Sequence, residues 1–454
     1  MTKEKSRFQA DTSEGRLRRE EKSLMRRRQV TFYLVSLLGL SVWVSCSTTQ
    51  EEGAGSAPDT PQIEISSYTD ILPAAQKILD GATIQDGEKI FLISDRSIHP
   101  AVNEAFQRLL PQEGALVDFA IFDGDLEVSD QGRLWELART DLLPPWVWEA
   151  MKTYDRTIFL SYLSTSYTVH EGVLSSQWLR ENNVRTLRVG LTPSQLAYQP
   201  FVEFPAELAE IIVRKTIESL PTGPVSVRLT DLEGTDLTYE ANYDELIERY
   251  NNRRGGSPGI GYSLHADSCH CVGESFRNVT GVIVSSYSIG PIPPIRLELK
   301  DNQIVKVEGG GGFDAWLTSN FEENKDIEYE HAIGANWLEE VAFQTHPKFL
   351  GTDSGSFSAV RLASTNAEKR SGVIHFGLGS LGVSREDGVL KKSQFHIHLL
   401  NFFSTLVLDG QTIIDEGHLV ALDDPEVIEL ARKYGDPEVL LREDWVHTIN
   451  SVLE

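Results

Sequence analysis

Lys89-Ile-Phe-Leu-Ile-Ser-Asp95 is a short run that is apolar on both alternating faces, the mark of a strand covered above and below. A helical period follows through Val102, Phe106, Leu109 and Leu110, and then a second strand, Leu116 to Asp123 (LVDFAIFD). Thr157-Ile-Phe-Leu-Ser-Tyr162 and Thr186-Leu-Arg-Val-Gly-Leu191 repeat the pattern. Pro205 to Leu220 reads as a helix opened by proline, with Leu208, Ile211, Ile212 and Ile217 on one face. Strands alternating with helices predict an α/β N-terminal domain with a largely parallel sheet over 67–222. No glycine-rich phosphate loop follows the first strand, so nucleotide binding has no support here.

Beyond Gly223 the helical period gives way to short alternating strands. Val225-Ser-Val-Arg-Leu, Gly234 to Glu240, Val279 to Ser286, Ile295 to Leu299 and Ile304 to Glu308 are separated by Gly, Asn and Asp. Leu297 and Leu299, then Asp301-Asn302, then Ile304 outline a hairpin. Residues 223–422 are therefore expected to form a β-rich mixed α+β domain. A helical tail over 423–454 is interrupted at Gly435-Asp-Pro. Gly309 to Gly312 lack the Gly-Lys-Ser/Thr that would make them a phosphate loop and read as a turn.

At 454 residues the chain exceeds one ordinary core, and 40% apolar with 24% charged residues is a globular composition. The net charge of −25 is unevenly placed: residues 1–28 hold ten Lys/Arg against five Asp/Glu, leaving the remainder near −30. A body that acidic repels phosphate backbones, which argues against nucleic-acid binding. Arg26-Arg27-Arg28 precede an apolar run, Val30 to Val44, and then Ser45-Cys46, the layout of a secretory leader (1–46). Cys46 after small residues resembles the acylated cysteine of a lipoprotein, although Trp43 departs from the usual aliphatic residue; an uncleaved anchor is the alternative. Either reading places the body in the cell envelope, held to the membrane only through its N-terminal anchor. Residues 47–66, small and polar, read as a flexible tether. The three cysteines offer no disulfide framework, because Cys269 and Cys271 are one residue apart.

Gln394-Phe-His396-Ile-His398 opens an apolar segment that ends at the turn Leu408-Asp-Gly. On a strand, His396 and His398 share one face, about 7 Å apart, and two imidazoles so placed can converge on one cation. His375 ends a second apolar strand, Gly372-Val-Ile-His, just before Phe-Gly-Leu-Gly379, where glycines permit close approach. The plain alternative is a pair of half-exposed polar residues with His375 satisfied in the core. Cys269-His270-Cys271 crowds three donors too closely to bind one ion easily.

A resemblance rests on the order of several segments. These are Gly273-Glu274-Ser-Phe, Ser288-Ile-Gly-Pro, Ile295 to Gly309, Glu330-His-Ala-Ile-Gly-Ala-Asn336, His375-Phe-Gly-Leu-Gly379, His396-Ile-His398 and Asp424-Pro to Tyr434-Gly-Asp-Pro437. In that succession the chain resembles the thermophilic aminopeptidase T metallopeptidases, whose superfamily looks to include the dihydroxypyridine dioxygenases. The resemblance implies metal ligands at Glu274, Glu330, His375, His396 and His398, and a divalent ion such as Zn, Co or Fe. Two positions depart from the pattern: His398 stands where the family has aspartate, and a tyrosine after His375 is missing from Gly379-Ser-Leu-Gly-Val-Ser384. The aspartate could bridge two metals; a neutral imidazole is a poorer bridge.

Three functions follow. A metal-dependent hydrolase acting on peptide N-termini is favoured by Glu274 and Glu330. A non-catalytic envelope lipoprotein that keeps the fold is the alternative, and a mononuclear non-haem iron ring-cleaving dioxygenase is the third. The expected partners are a peptide or small-molecule substrate, with a homodimer left open.

Overall fold

Both faces of the first strand are covered, as its composition requires. In the computed structural model, residues 63–96, 98–122, 143–160, 169–170, 173–252, 268–272, 275–288, 290–326, 333–351, 365–379, 384–386, 389–391 and 395–444 are described. The leader, Cys46, Gly273-Glu274 and Glu330 lie outside them. Among the described residues no helix is long and apolar enough to cross a membrane.

The first part of the chain contributes β1 (Lys89–Asp95), β2 (Leu116–Phe122) and β3 (Arg156–Phe159). A short antiparallel ribbon, β4 (Val169–His170) with β5 (Val173–Leu174), precedes β6 (Thr186–Arg188). β1, β2, β3 and β6 form a parallel sheet in the order β2-β1-β3-β6. Ile90 and Leu92 pack with Ile78 of helix Leu72–Ala82 and with Phe106 and Leu110 of helix Pro100–Gln112. Phe91 and Ile93 turn the other way, toward Trp148 and Trp178. Period-two alternation thus sends consecutive residues into different cores.

The rest of the chain is mainly antiparallel. Its strands are β7 (Pro224–Asp231), β8 (Asp236–Asn242), β9 (Ser268–Val272), β10 (Phe276–Tyr287), β11 (Pro291–Lys300), β12 (Gln303–Gly309), β13 (Leu338–Gln344) and β14 (Ile374–Gly379). The ribbon β15 (Ser384–Glu386) with β16 (Val389–Lys391) follows, then β17 (His396–Asn401), β18 (Ser404–Leu408), β19 (Gln411–Asp415) and β20 (His418–Leu419). Eight of them form one sheet, β12-β11-β10-β8-β7-β18-β19-β20, and four another, β17-β14-β13-β9. The expected α/β part followed by a β-rich part is the observed architecture. The hairpin at Asp301-Asn302 is present, with both residues at positive φ (52° and 67°), as a two-residue turn of the primed kind demands. The helix expected from Pro205 runs Ala206–Ser219 with its apolar face buried.

One boundary differs. The sequence reading ends the His375 strand at that residue, whereas β14 begins at Ile374 and continues to Gly379. Phe376 and Leu378 are fully buried, and each such side chain contributes about 1.5–3 kcal/mol by leaving water, which keeps the strand extended through its glycines.

Ile374, Phe376, Leu378, Ile397 and Leu399 share a core with Leu229, Ile283 and Leu297 of the larger sheet. Leu400, on the opposite face of β17, joins the core of the parallel-sheet layer. The face of β17 that carries His396 and His398 is therefore turned toward the α/β part. Polar bonds fix this strand: Ser288 Oγ donates to the His398 carbonyl (2.7 Å), Ser285 Oγ to that of Leu400 (2.9 Å), and Asn401 Nδ2 to that of Val284 (2.9 Å).

Lys348, 1% exposed, donates to the carbonyls of Val439 (2.8 Å) and Arg442 (2.7 Å) and to Asp444 Oδ1 (3.0 Å), and Asp444 also accepts from Tyr198. Lys348→Met takes the buried ammonium from Asp444 and leaves the carboxylate with the largely exposed Arg442 (3.1 Å) as its cation, so a loss of about 3 kcal/mol is expected in the free energy of urea unfolding. An unchanged midpoint would show the clamp to be dispensable. Glu233 lies in the turn between β7 and β8, its Oε1 accepting from Ser286 Oγ (2.9 Å). Burial raises its carboxyl to about 7, with Asp231 adding to the shift and the Ser286 bond opposing it. The fold thus prefers the protonated acid: this contribution is complete below the ordinary value of 4.5 and is lost as pH rises through about 7. Between pH 5 and 8 stability should drop by on the order of 2 kcal/mol, and Glu233→Gln should flatten that drop in pH-resolved denaturation curves.

Candidate metal centre

The centre is built on one row of the four-stranded sheet. Gly377 of β14 pairs with Glu340 of β13 on one side and with His398 of β17 on the other, and Gly379 pairs with His396. Residues opposite one another across antiparallel strands share a face, so Glu340, His398 and His396 project from the same side. A register shift between Leu338 and Glu340 sets the phase of β13, sending Val341 and Phe343 to the core. Gly377 supplies the space between them. A Cβ there would stand 2.6 Å from His396 Cε1, 2.7 Å from Glu340 Cβ and 2.9 Å from Glu340 Oε2.

Over that gap, Glu340 Oε2 lies 3.3 Å from His396 Nε2 and 3.5 Å from His398 Nε2. The two Nε2 atoms are 2.7 Å apart. Ligand atoms about 2.1 Å from a shared divalent ion stand roughly 3.0–3.4 Å from one another, so the carboxylate distances fit and the imidazoles need to part by only a few tenths of an ångström. Among the described residues, Glu340, His396 and His398 are the group whose donor atoms come together in this way. A second set of contacts orients the first. His375 Nε2 bonds Glu340 Oε1 (2.8 Å), and Glu368 Oε2 bonds His398 Nδ1 (2.7 Å), leaving Nε2 of His398 for the centre. The His375 ring also stacks on that of His398 at 4.7 Å.

The charges divide unequally. Burial pushes His396 down to about 4 in spite of Glu340, so it is a neutral imidazole at ordinary pH. Burial works against a charge on His398 too, but the carboxylates of Glu368 and Glu340 outweigh it and raise that residue to about 10. Without an ion the centre therefore holds a proton between two imidazoles, with His398 donating to His396. A divalent cation at the same place would replace that proton with a larger charge facing the same carboxylates.

His375, His396 and His398 thus come together, with His375 against Glu340 Oε1 rather than at the Nε2 convergence. Glu274 and Glu330 lie outside the described residues. The sequence reading passed over Glu340 and Glu368. Consecutive buried glutamates, Glu339-Glu340, in the otherwise apolar strand Leu338 to Phe343 are the one signal that could have pointed to the first. Cys269-His270-Cys271 form part of β9, where His270 pairs with Ala342 and Val272 with Glu340.

No protein-family model matches the chain, and no curated protein matches its sequence. Among solved structures, a 2,5-dihydroxypyridine dioxygenase from Pseudomonas putida KT2440 is similar at 14% identity and a TM-score of 0.48, over 80% of this chain and 99% of that one. Wild-type AmpT from Thermus thermophilus is similar at 13% identity and a TM-score of 0.46, over 78% and 100% of the two chains. These are distant likenesses of chain course, and the chemistry below rests on the residues alone.

Gly377→Ala puts a methyl group where Glu340 and His396 meet. Bound metal in the purified variant should fall to a small fraction of the wild-type content by elemental analysis, with the fold retained by circular dichroism. Full metal content in that variant would mean the ion sits elsewhere.

Proposed function

We propose that this chain is an exported metal-dependent hydrolase acting on peptides, with Glu340, His396 and His398 holding the ion. The observation that carries the reading is the convergence of two imidazole Nε2 atoms and one carboxylate oxygen over Gly377, with Glu340 and His398 each oriented by a further bond. Two histidines and a glutamate are a donor set used by zinc hydrolases. When bound, the ion lowers the pKa of a water molecule and polarises a carbonyl. The order of motifs along the sequence points to peptide N-termini as the substrate, and the leader points to the envelope.

The protein's own groups have distinct tasks. His375 holds the Glu340 carboxylate in one orientation through Oε1. Glu368 fixes the tautomer of His398 by accepting its Nδ1 proton. His398 is 23% exposed and Glu368 15%, against 5% for Glu340, so substrate enters from the His398–Glu368 side. Glu368 is then the carboxylate placed to take a proton during hydrolysis, and burial of the remaining residues excludes bulk water.

A second reading draws on the same donor set, because two histidines and one carboxylate also hold ferrous iron in mononuclear oxygenases. Metal analysis separates the two. The expected result is one equivalent of zinc or cobalt, lost in the His396→Ala/His398→Ala double variant, with cleavage of aminoacyl-nitroanilides that falls at least about a hundredfold in Glu340→Gln. Iron with oxygen uptake on a dihydroxylated ring would favour the oxygenase. Metal content untouched by the double variant would remove both readings and leave an envelope protein that keeps the fold without the chemistry.

A further inference from the structure

Glu368, which bonds His398 Nδ1, lies in a turn rather than on a strand, and the far end of that turn is held from the C-terminal segment. Three residues on, Ser371 Oγ donates to Glu443 Oε1. The same carboxylate accepts from the Leu419 amide (3.3 Å) and lies 2.9 Å from His418 Nδ1. His418 Nε2 in turn meets Asp423 Oδ2 at 3.0 Å. The bond to Glu443, joined by that to Asp423, outweighs burial and raises His418 to about 9, so an imidazolium donates to both acids at neutral pH. Glu443 thus ties together the turn after Glu368, the strand β20 and its own segment, and its side chain is only 9% exposed. The turn has no slack beside it. At Gly372 (φ 76°) a Cβ would stand 1.9 Å from the Gly417 carbonyl oxygen and 3.3 Å from Glu443 Oε1.

Ser371 is the junction between two arms of the metal centre. Upstream, the Lys369 and Arg370 amides donate to the carbonyls of Asn366 (3.0 Å) and Ala367 (3.2 Å), closing the turn that presents Glu368 to His398 Nδ1 at 2.7 Å. Downstream, the chain enters β14, where His375 meets Glu340 Oε1 at 2.8 Å. To the side, the Ser371 amide donates to the His346 carbonyl (3.0 Å), just beyond β13, and buried Arg370 donates from Nη1 to the Ser371 carbonyl (2.9 Å). A carboxylate orients a metal ligand only as well as its own backbone is fixed, and a turn residue depends on its flanks for that. We propose that Glu443 is a positioning residue of this centre, holding through Ser371 the turn that aims Glu368 at His398, so that the C-terminal segment raises metal affinity without touching the ion. The inference rests on the metal-binding part of the reading above.

The test titrates the purified full chain with zinc against a chromophoric chelator. Glu443→Ala and Ser371→Ala should each weaken zinc binding on the order of tenfold, as loss of an outer orienting group does. In a Glu368→Gln background, Glu443→Ala should cost no further affinity, because the residue it acts through is already gone. A loss that adds to that of Glu368→Gln would mark a merely structural role and overturns the proposal, as does wild-type affinity in both single variants. Should Glu443→Ala fail to fold, Ser371→Ala, which removes one hydroxyl, carries the same cycle. A wild-type chain that takes no zinc refutes the metal centre, and the positioning role is then judged on the metal-free protein. There the Nδ1 proton of His398, a downfield NMR resonance identified by its loss in Glu368→Gln, should broaden or vanish in Ser371→Ala. A resonance unchanged in that variant refutes the role of Glu443 as well.

Discussion

A missing side chain is the constraint on which the centre depends. Two strands flank β14, and the residues they place opposite Gly377 carry long or bulky polar groups that must meet above it. Any Cβ at that position would be under 3 Å from three atoms of Glu340 and His396, closer than non-bonded atoms tolerate. The same strand shows its apolar side chains, Ile374, Phe376 and Leu378, to the opposite face, where they are fully buried. One short element therefore does two things at once: its apolar alternation anchors it in the core, and its intervening small residues open the chemistry.

Electrostatics then decides which state the cluster adopts. Glu340 and Glu368 bring two carboxylates to a nearly buried place, and each is bonded to an imidazole, Glu340 to His375 and Glu368 to His398. Compensation comes from imidazole. His398 carries the charge because it touches both acids, and His396, more deeply enclosed, stays neutral. A protonated pair of this kind is a serviceable substitute for an ion. Its acids are also what makes a divalent cation favourable in the same spot.

The parallel layer was legible because its strands are apolar on both faces and its helices keep a regular period. The shared face of His396 and His398 was legible for a simpler reason: in a strand, residues two apart always point the same way. Less could be read of their neighbours. Glu340 reaches the centre only because of a register shift near Leu338, and a shift of one residue reverses the face of everything beyond it. Glu368 lies outside any strand, two residues after Asn366, whose Nδ2 donates to Thr192 Oγ1. Periodicity carries no trace of it. The sequence pattern ends the strand of His375 early for a related reason, since glycine ordinarily weakens a strand and here it is retained by burial of Phe376 and Leu378.

The order of the large sheet has a bearing on how the molecule is made. β7 is completed on one side by β8, its neighbour in sequence, and on the other by β18, whose residues 404–408 are synthesised some 180 positions later. Until they appear, β7 presents an unpaired edge at what will become the middle of the sheet. Pairing across so long a loop is slow, and an open edge invites association with other chains. A polypeptide with this topology gains from being kept unfolded until translation is finished, and the delay sets when the imidazoles of β17, just upstream of β18, can take up their positions.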